Sequence, residues 1–126
     1  MKRTATIIRK SENGKRAIAI DDDAYEAIME YIQQDKRHAD KFIHITNVIL
    51  AGLTRPSLYD KEEPDKKSKG VRAMKLFKGQ ENDRIYCKEV TTPDGVFAVI
   101  TAELLLKNSS VLNDLKLLSF YFIPVN

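Results

Sequence analysis

Hydrophobic and polar positions alternate with a period of two at the start of the chain, then change to helical spacing. The stretch Arg16-Ala17-Ile18-Ala19-Ile20 puts Ile18 and Ile20 on one face of a strand. An earlier run over residues 4–10 contains Ile7-Ile8, and Asn13-Gly14 between the two can supply the positive φ angles of a tight turn. The first 20 residues are therefore predicted to form a β-hairpin. Asp21-Asp22-Asp23 follows, and Asp23 with Glu26 fits a D-x-x-E capping box opening a helix over residues 24–34. Tyr25, Ile28, Met29 and Ile32 give that helix one apolar face. A second helix is predicted over residues 37–51, with Phe42, Ile45, Ile49 and Leu53 at helical spacing. Gly52 can cap it and Pro56 stops it. The short link near residues 34–36 implies an antiparallel helical hairpin.

Residues 55–70 read as a polar, mobile loop, because mixed charge with Pro and Gly buries little apolar area. Three strands are predicted after it, over residues 71–77, 84–91 and 96–105. Their short connections, one of them Pro93-Asp94-Gly95, favour an antiparallel meander. The third, Val96-Phe97-Ala98-Val99-Ile100-Thr101-Ala102, is nearly all apolar and should be central. The expected fold is α+β: an N-terminal β-hairpin, a two-helix antiparallel hairpin, then a three-stranded antiparallel sheet. Residues 1–107 are expected to make one domain, and residues 108–126 an apolar C-terminal tail packed on it or extending from it.

Composition narrows the function classes. A chain of 126 residues suits one domain. The 21 Lys and Arg against 18 Asp and Glu leave a net charge of +3, which permits a nucleic-acid partner without requiring one. One Cys excludes an internal disulfide framework, and two His argue against a self-contained His-based metal site. There is no phosphate-loop motif, so no nucleotide cofactor is expected. The N-terminus lacks a signal-peptide pattern and no apolar run approaches a membrane span, so the expected compartment is cytoplasmic.

Most chemistry-bearing residues have structural explanations. Cys87 lies mid-strand beside Ile85 and Glu89, with no activating base, and reads as a buried thiol. His38 and His44 stand six apart on a helix and cannot share a ligand. Asp21, Asp22 and Asp23 read as helix caps rather than cation ligands; no metal or cofactor is expected. Basic residues on strands remain. Strand alternation puts Arg84, Tyr86 and Lys88 in one stripe, with Lys75 and Arg72 on the preceding strand and Lys107 after the last. Such a face can hold a sugar-phosphate backbone and stack a base. It also suits RNA cleavage in which a ribose 2′-OH attacks the adjacent phosphate while cations stabilise the developing charge. The bland alternative is the solvated face of an amphipathic sheet.

A strand leading into a helical hairpin and then a three-stranded meander resembles the RelE/ParE superfamily of bacterial toxins, above all its HigB-like branch. The matching pieces are Asn13-Gly14-Lys15-Arg16, Arg72-Ala73-Met74-Lys75-Leu76, Arg84-Ile85-Tyr86 and Phe97-Ala98-Val99-Ile100 with Lys107. The resemblance spans residues 5–107. It implies an endoribonuclease toxin that cuts ribosome-bound mRNA without a metal and is neutralised by a cognate antitoxin. By the same resemblance, Arg84 meets the scissile phosphate, Lys75 with Arg72 binds RNA or moves a proton, Lys107 fills the basic position after the last strand, and Tyr86 and Lys88 bind RNA. ParE-like relatives act on DNA gyrase instead, so fold does not fix activity. The rival expectation is a non-catalytic interaction module of the same fold. A DNA-binding regulator ranks last, since residues 21–35 carry six acids and no Lys or Arg.

Overall fold

The computed structural model describes residues 3–62, 70–77 and 83–106, and the backbone of residues 121–122. Strands β1 (Arg3–Lys10) and β2 (Arg16–Asp21) pair antiparallel, as predicted. Their connection is a five-residue loop with Gly14 at φ 71°, and β1 carries a bulge between Ile7 and Arg9. Ile18 and Ile20 share one face, and Ala17 and Ala19 the other.

The helical hairpin is capped earlier than predicted. Asp21, not Asp23, supplies the capping carboxylate: it accepts the Asp23 amide at 2.7 Å and the Arg3 Nε at 2.8 Å. A 3₁₀ turn (Asp22–Ala24) then leads into α1 (Tyr25–Ile32). Its buried residues are Ile28, Tyr31 and Ile32; Tyr25, expected inside, is 36% exposed. The helix α2 (Lys36–Leu50) is capped by Asp35, whose carboxylate accepts the His38 amide at 2.9 Å. At its other end, Gly52 takes φ 73°. The Leu53 amide bonds the Val48 carbonyl and the Gly52 amide bonds the Ile49 carbonyl, which is a Schellman closure. The chain turns away there, leaving Leu53 exposed rather than on the buried face.

The remaining strands are β3 (Tyr59–Lys61), β4 (Val71–Lys75), β5 (Arg84–Thr91), β6 (Phe97–Leu105) and β7 (Tyr121–Phe122). The sheet order is β3-β4-β5-β6-β2-β1-β7. Strands β4, β5 and β6 form the predicted antiparallel meander. Two features correct the sequence-based picture. Residues 59–61, expected within a loop, form an edge strand on β4. The hairpin and the meander are also one mixed sheet, because β2 lies parallel to β6. That makes β6 central, as its apolar run required. Strand β7 pairs parallel with β1 through Arg3–Tyr121 and Thr4–Phe122. The rest of the apolar tail lies outside the described residues.

Both helices cover one face of the sheet. Ile28, Tyr31, Ile32, Phe42, Ile45 and Ile49 pack on Ile18, Ile20, Met74, Ile85, Cys87 and Val99. Each aliphatic side chain fully buried this way contributes about 1.5–3 kcal/mol. The other face carries two smaller clusters. One is Ala5, Ala17, Ala19, Ala98 and Ile100; the other is Val71, Ala73, Tyr86 and Ala102. Among the described residues no helix is long and apolar enough to cross a membrane.

Candidate functional site

Register across β4, β5 and β6 decides which predicted residues meet. Lys75 pairs with Arg84, which pairs in turn with Leu105. Two residues along, Tyr86 lies between Ala73 and Glu103, and Val71 pairs with Lys88. Since Tyr86, Val71 and Ala73 cluster on the face away from the helices, alternation carries Lys75, Arg84 and Lys88 to that face too. The stripe expected from β5 is therefore present, with Lys75 beside it.

Lys75 and Arg84 stand directly opposite one another. Cross-strand partners have Cβ atoms about 4.5–5.5 Å apart, and like charges so placed are unfavourable. Their compensation comes from the residue after β3. Glu62 Oε1 lies 3.7 Å from Arg84 Nε, and the Glu62 carboxylate is close enough to the Tyr86 phenol to disfavour its ionisation. The other carboxylate oxygen, Glu62 Oε2, is buried without a hydrogen-bond partner. A buried, unpaired carboxylate oxygen is costly and rare, and is an acceptor held in reserve. Burial and then the Glu62 carboxylate push the Tyr86 phenol up to about 12, so it stays protonated at neutral pH.

Two sequence expectations change. Tyr86 is only 4% exposed, so its ring packs against Val71, Ala73 and Ala102 and is not available to stack a base. Arg72 is not on this face. It shares the parity of Met74, its Nε meets Glu89 Oε1 at 3.1 Å, and its guanidinium lies 5.8 Å from the centre of the Tyr59 ring. The Tyr59 hydroxyl donates to the other Glu89 oxygen at 2.8 Å, and burial raises its pKa. Arg72 thus belongs to a hydrogen-bonded cluster on the helix-covered face. Lys107 lies outside the described residues.

The other candidates take the structural roles predicted for them. Cys87 is fully buried, with its thiol pKa raised by desolvation. His38 is buried edge-on between Tyr31 and Phe77, with Nδ1 2.6 Å from Asp35 Oδ1. Sequence reasoning passed over Glu62 and Glu103. Glu103 had a signal, a single acid inside an apolar strand. Glu62 had none, since it sits in a run of mixed charge.

Arg84 thus stands between Lys75, opposite it across the strands, and the Glu62 carboxylate, which is placed by the bond of its amide to the Val71 carbonyl at the other end of β4. That set can bind a phosphodiester, accept a proton and donate one. The chain matches no family model, no curated protein and no solved structure.

Proposed function

We propose that this chain is a RelE/HigB-like toxin of a toxin–antitoxin pair, a metal-free endoribonuclease that cuts ribosome-bound mRNA in the cytoplasm. The observation that carries the reading is the direct opposition of Lys75 and Arg84, with the Glu62 carboxylate on the far side of Arg84. An anionic phosphate between the two cations relieves their repulsion. In the reaction, Glu62 takes the proton of a ribose 2′-OH. The 2′-oxygen bonds to phosphorus as the bond to the 5′-oxygen breaks, and Lys75 gives that oxygen a proton. Arg84 stabilises the charge that builds on the phosphoryl oxygens. The products are a 2′,3′-cyclic phosphate and a 5′-hydroxyl. An antitoxin would cover the same basic face, and Lys88 and Lys107 would extend the RNA contact.

A second reading is favoured by one observation. Tyr86 is 4% exposed and the Arg84 side chain 16%, with Arg84 beside Glu62. In that reading the cluster is closed and structural, and the chain is a non-catalytic interaction module. Programmed ribosomes carrying a defined mRNA separate the two. Primer extension should map discrete cuts with wild-type protein and none with a folded Arg84→Ala variant. Intact mRNA with wild-type protein would leave the interaction module as the surviving reading.

A further inference from the structure

A cavity of about 150 Å³ lies on the helix-covered face, where α2 ends. Its walls include Arg16 of β2, Leu53 and Arg55 of the loop after α2, Tyr59 of β3, Arg72 of β4 and Glu89 of β5. Alternation puts Arg16, Arg72 and Glu89 on this face, with Ile18, Met74 and Cys87. Lys75 and Arg84 belong to the opposite face, so the cavity is separate from the proposed cleavage site.

The charges around the cavity do not balance. Arg72 and Glu89 neutralise one another, with Nε 3.1 Å from Oε1, and the Tyr59 hydroxyl donates to the second Glu89 oxygen at 2.8 Å. Asp60 also borders the cavity, but it alternates with Tyr59 along β3, and its Oδ1 accepts the Lys61 amide at 2.8 Å. Arg16 and Arg55 are left over. Among the described residues neither guanidinium meets a carboxylate, and the two terminal nitrogens of Arg16 have no hydrogen bond.

Arg16 is also fixed in place. Its Nε donates to the Ile49 carbonyl at 2.8 Å, and its guanidinium lies 4.4 Å from the centre of the Phe97 ring. Arg55 is held through its backbone, since its carbonyl accepts the Leu58 and Tyr59 amides at 2.9 and 3.0 Å. The last carbonyls of α2 do not supply the missing negative charge in full. Ile49 is already taken by Arg16 and the Gly52 amide, and Val48 by the Leu53 amide. An arginine held this way has lost its side-chain entropy before any ligand arrives, and its planar fork matches the paired oxygens of a carboxylate or phosphate. Size narrows the ligand. The volume is below the roughly 300–1,000 Å³ of ordinary ligand pockets, which leaves room for one such group on a short carbon body. Leu53, 55% exposed, offers that body an apolar wall.

We propose that this cavity binds a small oxyanion, a carboxylate or phosphate on a body of a few carbon atoms, between Arg16 and Arg55. The proposal goes beyond the endoribonuclease reading and does not depend on it.

The test is titration of the isotopically labelled full chain with acetate and with inorganic phosphate, each against sodium chloride at equal ionic strength, followed by nuclear magnetic resonance. The Arg16 Nε–H and the Gly52, Leu53 and Thr54 amides should shift saturably with one anion or both, and not with chloride. The anion that saturates them at the lower concentration identifies the group as carboxylate or phosphate. Arg55→Gln, in an exposed loop, should keep the amide spectrum of the fold and raise the dissociation constant about tenfold. Arg16→Gln should do the same, and if it unfolds, Arg55→Gln decides alone. Lys10→Gln removes an equal charge from the other face and should leave the constant unchanged. Equal shifts with chloride, an unchanged constant in folded Arg55→Gln, or an equal loss in Lys10→Gln would each overturn the proposal.

Discussion

Tyr31→Phe removes one hydroxyl and tests how the site is anchored. The Tyr31 hydroxyl donates to Asp83 Oδ2 at 2.7 Å, and the two residues are 5% and 8% exposed. Asp83 immediately precedes Arg84, and its carbonyl accepts the Leu76 amide at 3.2 Å, closing the ends of β4 and β5. The bond therefore ties α1 to the two strands that present Lys75 and Arg84. The phenyl ring keeps its packing, so the loss is that of a hydrogen bond to a largely buried carboxylate, about 2 kcal/mol. For a domain of this size that corresponds to a fall in Tm of roughly 6–10 °C. Urea denaturation should show a lower midpoint with an unchanged m-value. Asp83→Asn keeps an acceptor and should cost less. A Tyr31→Phe variant within about 0.5 kcal/mol of wild type would refute the reasoning, because Asp83 would then be solvated when its partner is gone.

Other predictions follow from single features. Tyr86 has a folded-state pKa raised from 10.0 to about 12, so the folded state favours the protonated phenol. The stability it contributes is complete below about pH 10 and is lost as pH rises towards about 12; circular dichroism across that window should show unfolding, and a Tyr86→Phe variant that unfolds at the same pH would contradict this. Cys87 is fully buried with a raised pKa, so a thiol reagent should modify it only at the rate of opening, and reaction as fast in native as in urea-unfolded protein would contradict its placement. Gly52 holds φ 73° with open space where a Cβ would stand, so Gly52→Ala should cost about 1 kcal/mol from backbone strain alone, read as a fall in urea midpoint. A neutral effect would show that the closing turn of α2 relaxes.

Much of the fold was legible because the decisive signals are local. Ile18 and Ile20 alternate with small residues, so one strand's two faces could be read at once. Gly52 and Pro56 marked the end of α2, and Pro93-Asp94-Gly95 marked the turn into β6. What escaped was non-local. Tyr59–Lys61 is too short and too polar to announce a strand, and forms one because β4 offers an open edge. The parallel pairing of β2 with β6 brings Ala17 beside Ala98, a separation that no window of sequence can report. Asp21 displaced Asp23 as the cap because Arg3 on β1 fixes its carboxylate.

The site was legible along strands and obscure across them. Alternation placed Arg84, Tyr86 and Lys88 together, since that depends on β5 alone. Whether Arg72 or Lys75 joins them depends on which face of β4 packs under the helices. Residues of both parities on β4 are apolar enough to be buried, namely Val71 and Ala73 on one face and Met74 on the other. The register settles it for Lys75 and against Arg72. Glu62 enters only because β3 forms and delivers it beside Arg84.

The most direct test of the endoribonuclease proposal is induced expression in a bacterial host, with growth and mRNA integrity followed together. The account predicts rapid growth arrest accompanied by cleaved mRNA, both lost in a folded Arg84→Ala, Lys75→Ala double variant. Normal growth with intact mRNA and abundant wild-type protein would contradict it.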